Sequence, residues 1–466
     1  MSILSKEEAE FNSAVEVAVI GAGACGLCAG IAAKQSGAET LILERDPSAL
    51  GTTAMSTGLI PAAGTSFQAK AGITDTPELF TQDVCAKTGY QTDANIALAL
   101  ARESANTVEW LASDLQVPLS LVDSFLYPGH SIKRMHGTPN RTGAELMGSL
   151  CNAAERIGVD ILTDATVTGL FAEPNGEVHG LRCQRPDGKH EDLACSAIIL
   201  ACCGFAGNPD MVREYMPEIA EGEFFGHRGN QGDAVAWGRE LGAEVGDMTA
   251  YQGHGGLAKG HGIPILWPVI VEGGIQVNQN GQRFSNESRG YSEQAVDVIK
   301  QPGAIAWTFY DEPRHQLMLE FDDYRDAIAA GAIQYGSTLQ DICRKTGLPL
   351  SEMEKTLGEI TSLAGAGSQD AFGRRFKGKA LLSAPYYAVK VTGALFHTQG
   401  GLCVDAVGRV LRADGSALQN LYAGGGAARG ISGPDASGYL AGNGLLTATT
   451  FGRLAGINAA IDIKAS

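Results

Sequence analysis

The amino-acid sequence predicts an α/β fold built on a parallel sheet. Three observations predict it: a short apolar strand pattern, a glycine-spaced turn directly behind it, and a second apolar run that ends in an acid. Val15 to Ile20 (Val-Glu-Val-Ala-Val-Ile) comes first, and its branched residues read as a buried strand. Gly21-Ala22-Gly23-Ala24-Cys25-Gly26 follows at once and fits the spacing GxGxxG. Leu27 to Ser36 continues as a helix of small residues, and Glu39 to Glu44 forms the next strand. The result is a βαβ unit in which Glu44 stands 18 residues after Gly26. Its glycines allow a tight turn and close approach of a pyrophosphate, the helix start offers unpaired N–H groups, and Glu44 can accept from ribose hydroxyls. NAD and FAD share this fingerprint, so the unit alone does not choose between them. The uncharged run Val17 to Ala33 sits at the short limit for a membrane span and is broken by glycines, so a dinucleotide fold accounts for it better.

Composition sets the wider frame. The 466 residues carry 35 basic and 52 acidic side chains, a net charge of −17 that argues against a nucleic-acid or anionic-membrane partner. With 44% apolar and 19% charged residues the chain is globular and long enough for two or three domains. Glycine is the outlier at 61 residues, about 13% against a usual ~7%. So many positions without a Cβ predict backbone packed against something bulky, a large cofactor first of all. The ten cysteines are scattered, and Lys6 lies among Glu7, Glu8, Glu10 and Glu16 rather than in the basic start of a secretory leader. A reduced, cytoplasmic protein without a transmembrane segment is expected. Cys25 and Cys28 have redox-motif spacing, but small buried side chains in a Gly/Ala-rich turn explain them, and no haem, iron–sulfur or zinc-ribbon spacing occurs.

The motifs beyond the βαβ unit carry a family resemblance. They are Gly51-Thr52-Thr53-Ala54-Met55-Ser56-Thr57-Gly58-Leu59-Ile60 after Glu44-Arg45, Ile199-Leu200-Ala201-Cys202-Cys203-Gly204-Phe205, Gly232-Asp233, and Asn280-Gly281-Gln282-Arg283-Phe284-Ser285-Asn286-Glu287. Further on come Phe396-His397-Thr398-Gln399-Gly400-Gly401, Leu421 to Gly426, Gly442-Asn443-Gly444-Leu445-Leu446 and Thr450 to Gly456. In this order, from about Val15 to Gly456, they resemble the flavoproteins of the fumarate reductase, succinate dehydrogenase and 3-ketosteroid dehydrogenase family. The resemblance implies a Rossmann-like FAD domain over residues 1–250 and 384–466, interrupted by an α+β capping domain over 251–383. It implies that FAD is held by Gly21 to Gly26, Glu44, Arg45, Thr52, Thr53, Ser56, Thr57, Gly58, Val167, Gly204, Asp233, His397, Gly425, Gly426, Asn443, Leu445 and Leu446. Covalent members bond the flavin through a histidine after the second strand; Gly51 to Ile60 has none, so non-covalent FAD is implied. Gly426 departs from the pattern, standing where many relatives carry a glutamate beside the ribityl chain. No second GxGxxG lies in a strand–helix setting, so an external electron donor or acceptor is expected. A homo-oligomer is left open.

The resemblance to fumarate reductases further implies two histidines and two arginines around a dicarboxylate. The histidines are present as His254 (Gln252-Gly253-His254) and His397, but both arginine positions are tyrosines: Tyr291, four beyond Glu287, and Tyr439, four before Asn443. An arginine forks onto a carboxylate as a permanent cation, whereas a neutral phenol makes a single-point hydrogen bond. Tyrosines at these places resemble the 3-ketosteroid dehydrogenase branch. Tyr291 is therefore the expected proton shuttle, and Tyr439 with the N–H groups of Gly442-Asn443-Gly444 the expected enolate stabiliser. His254 and His397 are expected either to tune the phenols or to make a structural hydrogen bond to the flavin or backbone; a metal role for them has no carboxylate or thiolate partner at ligand-like spacing.

Among the substrate-side candidates, Arg289 would share a face with Tyr291 on an extended segment, and its other reading is a surface arginine. Tyr127 to His136 reads as a solvated loop, with Tyr127 a candidate third phenol. Gly253 to Gly262 is expected to shape the active site, Trp237 to lie in the core and Trp267 to form a wall. The function expected is formation or reduction of a C=C bond conjugated to a carbonyl, on a 3-ketosteroid or a smaller cyclic ketone. One rival is a fumarate-reductase-like enzyme holding a carboxylate on Arg289, Arg134 or Arg429. The other is a non-catalytic, redox-sensing flavoprotein built on Cys202-Cys203 and Cys25/Cys28.

Overall fold

The inner half of strand Phe11–Ile20 is apolar on both faces and buried on both, as a parallel strand covered by helices must be. In the computed structural model, which describes residues 2–376 and 381–465, this strand is central to a nine-stranded sheet. The chain ends and residues 377–380 of the expected cap lie outside the described residues. Thr40–Leu43 and His190–Leu200 flank the strand in parallel, and Asp160–Leu162 and Ala417–Ala423 extend the parallel set at either side. The outer part of His190–Leu200 runs antiparallel to Val178–Gln184, which continues through Thr166–Ala172 to Ser2–Leu4.

Helix Ala24–Gln35 starts directly after Gly23 and is buried from Ala24 to Ala33. It packs along the terminal helix Asn443–Ala465. Close approach is possible because Gly452 and Gly456 face the backbone of Cys25 and Ala29, where any Cβ would collide. The expected βαβ unit is thus present, with its strand and helix each beginning a few residues earlier than the sequence pattern predicts.

A second sheet of seven strands is organised around Tyr386–Thr398. The N-terminal part of that strand pairs with Ile305–Asp311 and its C-terminal part with Tyr251–Ala258. The division expected after residue 383 falls just before this strand, which lies in the second sheet. Helix Tyr291–Ile299 packs on the sheet through buried Ser292, Ala295 and Val298. It can settle there because Gly253, Gly255 and Gly393 present no side chains: a Cβ at Gly253 would stand 2.6 Å from Ser292 O, and one at Gly393 would collide with Ala295 O. A three-stranded sheet of Ile60–Pro61, Met135–Gly137 and Ser120–Val122 joins the segment after Glu44 to the loop carrying Tyr127. No helix among the described residues is long and apolar enough to cross a membrane.

Candidate active site

Two adjoining cavities share the residues Thr52, Thr53, Cys203, Gly426 and Ala448. The one nearer the βαβ turn is about 120 Å³. Of the residues expected to hold the cofactor, Gly21, Gly23, Ala24, Cys25, Glu44, Arg45, Thr52, Thr53, Val167, Asp233, Gly425 and Gly426 line it. Gly21 has φ +101° and backs onto Ala201 O, whereas a Cβ at Gly23 would meet nothing nearer than Thr53 Oγ1 at 3.8 Å. The backbone at Gly23 is therefore open, and the helix behind it has no side-chain cap, which is the arrangement a pyrophosphate needs. Glu44 accepts from the N–H of Ala22 at 2.7 Å and of Asp46 at 3.1 Å, which fixes its carboxylate at the strand end. Burial raises the Asp233 carboxyl above its ordinary range, with Arg45 opposing. Trp237, expected in the core, is buried and also lines this cavity, where its indole N–H has no partner. An open glycine turn, an uncapped helix start and an unpartnered donor fit the dinucleotide part of FAD.

Other expected cofactor residues act behind the lining. Ala22 supplies the N–H that holds Glu44, and Gly26 packs onto Gly21. Gly58 has φ +67° and abuts Thr142 O, while Gly204 abuts the Thr398 hydroxyl. Leu446 is core, and Asn443 is fully buried with neither amide atom paired. At Gly426 a Cβ would stand 3.0 Å from Cys203 Sγ and 2.9 Å from Gly204 N, so Cys203 occupies space that a longer side chain there would need. Burial pushes the thiols of Cys25, Cys28, Cys202 and Cys203 upward. Reactive thiolates are depressed, so these groups do not favour the redox-sensing reading.

The second cavity is about 170 Å³ and gathers Tyr127, His254, Tyr291, His397, Tyr439 and Gly442, with Thr52, Thr53, Ser56, Thr57, Gly426 and Leu445 on the side of the first. Tyr291 is central. Its ring lies 6.4 Å from that of Tyr127, 6.1 Å from Tyr439 and 6.1 Å from Trp267, and stacks on His254 at 5.1 Å. Phe396 stacks on the same imidazole at 5.0 Å. Burial lowers the His254 pKa to about 3 and also lowers that of His397, so both rings are neutral. Burial likewise raises the phenols of Tyr291, Tyr439 and Tyr127 above their ordinary range.

The Gly444 N–H donates to Tyr439 Oη at 3.3 Å, and the Asn443 N–H to Leu440 O at 3.1 Å. Those two N–H groups, expected to point at the substrate oxygen, are thus engaged within the protein. What faces the cavity is the Tyr439 hydroxyl that Gly444 supports.

Tyr291 is held by the segment before it. Glu287 is buried; burial opposes its charge, but Arg374 and Arg283 keep its carboxyl below the ordinary range. Its carbonyl accepts from the Trp267 indole at 3.1 Å, and its carboxylate from the N–H of Gln276 at 3.1 Å. Trp267 is the wall expected.

Two expectations are corrected here. Arg289 lies on a helical turn, not an extended segment; its side chain is 57% exposed and reaches Asp297 at 3.5 Å, away from the cavity. The segment Tyr127 to His136 is not a solvated loop, since Tyr127, His130, Arg134 and His136 are all buried. Arg134 sits 2.9 Å from Asp75, 2.6 Å from Asp83 and over the ring of Phe80, while His130 bonds Ala441 O at 3.0 Å. Arg429 is likewise paired, with Asp247 at 2.7 Å. Among the described residues lining the cavity there is no lysine or arginine, and Asp323 is the one acid. Sequence reasoning passed over Asp323, which reads there as an ordinary first-turn helix acid.

The FAD binding domain family matches residues 16–445. A probable fumarate reductase of Shewanella frigidimarina is 29% identical over 96% of this chain and 75% of its own length. A 3-oxosteroid 1-dehydrogenase of Mycobacterium tuberculosis is 29% identical over 68% of this chain and 63% of its own. The open conformation of a flavocytochrome c3 fumarate reductase superposes with a TM-score of 0.80 at 28% identity, covering 97% of this chain and 79% of that one.

Proposed function

This chain belongs to the FAD binding domain family, and we propose that it is an oxidoreductase that forms or reduces a C=C bond conjugated to the carbonyl of a neutral cyclic ketone. The observation that carries this reading is the cavity itself: three phenols and two neutral histidines converge, and among the described residues no cation lines it.

FAD, when bound, supplies the two-electron exchange with the β-carbon. Tyr439 accepts from Gly444 through its oxygen, which frees its own O–H to donate to the substrate carbonyl, where negative charge develops in either direction. Tyr291 moves the proton at the α-carbon. Apolar burial holds it protonated, the form that donates when the C=C bond is reduced. Trp267 and Phe396 keep water from the reacting carbons.

The likeness to a probable fumarate reductase favours a second reading, a carboxylate substrate. Among the described residues that reading lacks its counter-charge, because Arg289 points outward and Arg134 and Arg429 are each bound to aspartates. An anaerobic titration separates the two. Cyclic ketones, 3-ketosteroids and succinate are added to the oxidised enzyme, and enones and fumarate to the reduced enzyme. Bleaching by a ketone or reoxidation by an enone is the expected result; response only to succinate or fumarate overturns it.

A further inference from the structure

Two polar features of the substrate cavity bear on substrate choice, beside Gln252, His254, Tyr291, Gln399 and Thr447, which line it as well. One is the Tyr439–His397–Gly444 group beside the cofactor cavity, with ring centroids of Tyr439 and His397 5.7 Å apart. The other is Asp323, in the first turn of helix Asp322–Ala329, which packs against the strand Ile263–Pro264. The Tyr127 phenol is near enough to feel both Asp323 and Tyr439. Met135, Pro264, Leu266 and Trp267 line the same cavity.

The charges around Asp323 are already committed. Asp322 pairs with Arg325, and Arg141 bonds Glu320 at 3.1 Å with its guanidinium over the Phe321 ring. No hydrogen bond or ion pair holds the Asp323 carboxylate among the described residues. Burial, with a contribution from Asp326, raises its pKa to about 6. Asp323 is partly buried and lines the cavity with no protein donor on its carboxylate, so a donor in the cavity can bond it.

We propose that Asp323 determines substrate choice in this cavity, accepting a hydrogen bond from a hydroxyl on the substrate ring and excluding carboxylates. This rests on the ketone reading of the same site and narrows it to hydroxylated ring ketones. A hydrogen bond to a charged group typically contributes roughly 10- to 100-fold in affinity. A site built around one discriminates strongly against analogues that lack the donor.

The test uses the FAD-loaded enzyme with cyclohexanone, its analogue with a hydroxyl across the ring, and the analogue with a carboxylate at that carbon. Binding is read from the shift in the flavin spectrum and turnover from bleaching, for wild type, Asp323→Asn and Asp323→Leu, with melting temperature and FAD content as folding controls. In wild type the hydroxyl analogue should bind roughly 10- to 100-fold more tightly than cyclohexanone, and the carboxylate analogue should be rejected. Asp323→Leu should erase the preference, and Asp323→Asn should admit the carboxylate. If Asp323→Leu keeps the preference while ketones still bleach the flavin, the role of Asp323 is overturned and the ketone reading stands. If the preference holds in binding but no ketone bleaches the flavin, the ketone reading fails and the role of Asp323 stands. If none of the three compounds binds, both are overturned.

Discussion

Phenols where relatives of one branch place cations change what this cavity can hold, and the effect is testable residue by residue. Tyr291→Phe removes one oxygen and leaves the ring stack on His254 and the contacts to Trp267 and Tyr127 in place. A positioned acid–base group contributes ~10²–10⁴, so rapid mixing of this variant with a reducing ketone should show flavin bleaching slowed by that factor, with binding little changed. Arg289→Ala should shift the same rate by no more than about twofold, because an exposed ion pair such as the one to Asp297 contributes little. An undiminished rate in Tyr291→Phe would remove the shuttle role, and a large loss in Arg289→Ala would return the carboxylate reading. That Tyr291, Tyr439, His254 and His397 line one cavity was legible because each sits at a fixed offset from a motif. Asp323 was not, because nothing local marks a helix acid as facing a cavity.

At the scale of elements, the position of Tyr291 depends on how closely helix Tyr291–Ile299 lies on the second sheet. Gly393 sits under Ala295, and Gly253 under Ser292, whose hydroxyl accepts from the Gly253 N–H at 2.9 Å. In Gly393→Ala the new methyl meets main chain rather than a movable side chain, so the helix must shift. Overpacking of this kind typically costs ~1–3 kcal/mol. A lower melting temperature is expected together with slowed ketone turnover, while FAD content stays at the wild-type level because Gly393 is remote from the dinucleotide cavity. Loss of FAD in this variant would show that the two sheets are not independent in this respect. The glycine-rich strand was readable as shaping the site, but its purpose, seating a helix, required knowing what lay on top. The segment Tyr127 to His136 shows the opposite failure. Two cations and two histidines read as solvated because the partners that bury Arg134, Asp75 and Asp83, lie more than fifty residues away in sequence.

Across the whole molecule, the βαβ unit and the glycine surplus made the cofactor domain legible, since local turn geometry and strand periodicity carry that information. The second sheet, assembled from strands scattered between Glu223 and Thr398, did not announce itself. Burial of titratable groups is likewise a property of the assembled fold, and it sets a pH dependence. His130 accepts from Arg134 through Nδ1 at 3.3 Å and so bonds Ala441 O through a protonated Nε2, while His136 bonds the Thr65 hydroxyl at 2.9 Å. Burial lowers their pKa values to about 3 and about 4, and that of His254 to about 3, from an ordinary 6.5. Unfolding below pH 6.5 therefore takes up protons that the folded protein refuses. The stabilisation these histidines provide is complete above that pH and is lost as the pH falls toward their folded values. Asp323, raised to about 6, works in the opposite sense and offsets one of the three between its folded and unfolded values. Each refused proton contributes a slope of up to ~1.4 kcal/mol per pH unit. Urea unfolding between pH 7.5 and about pH 5 should therefore show stability falling with pH, and His136→Gln, which keeps a side-chain amide beside Thr65, should flatten that slope by about one proton's worth. A slope unchanged by His136→Gln would mean that His136 titrates alike in the folded and unfolded chain, and that the loop carrying Tyr127 is open to solvent after all.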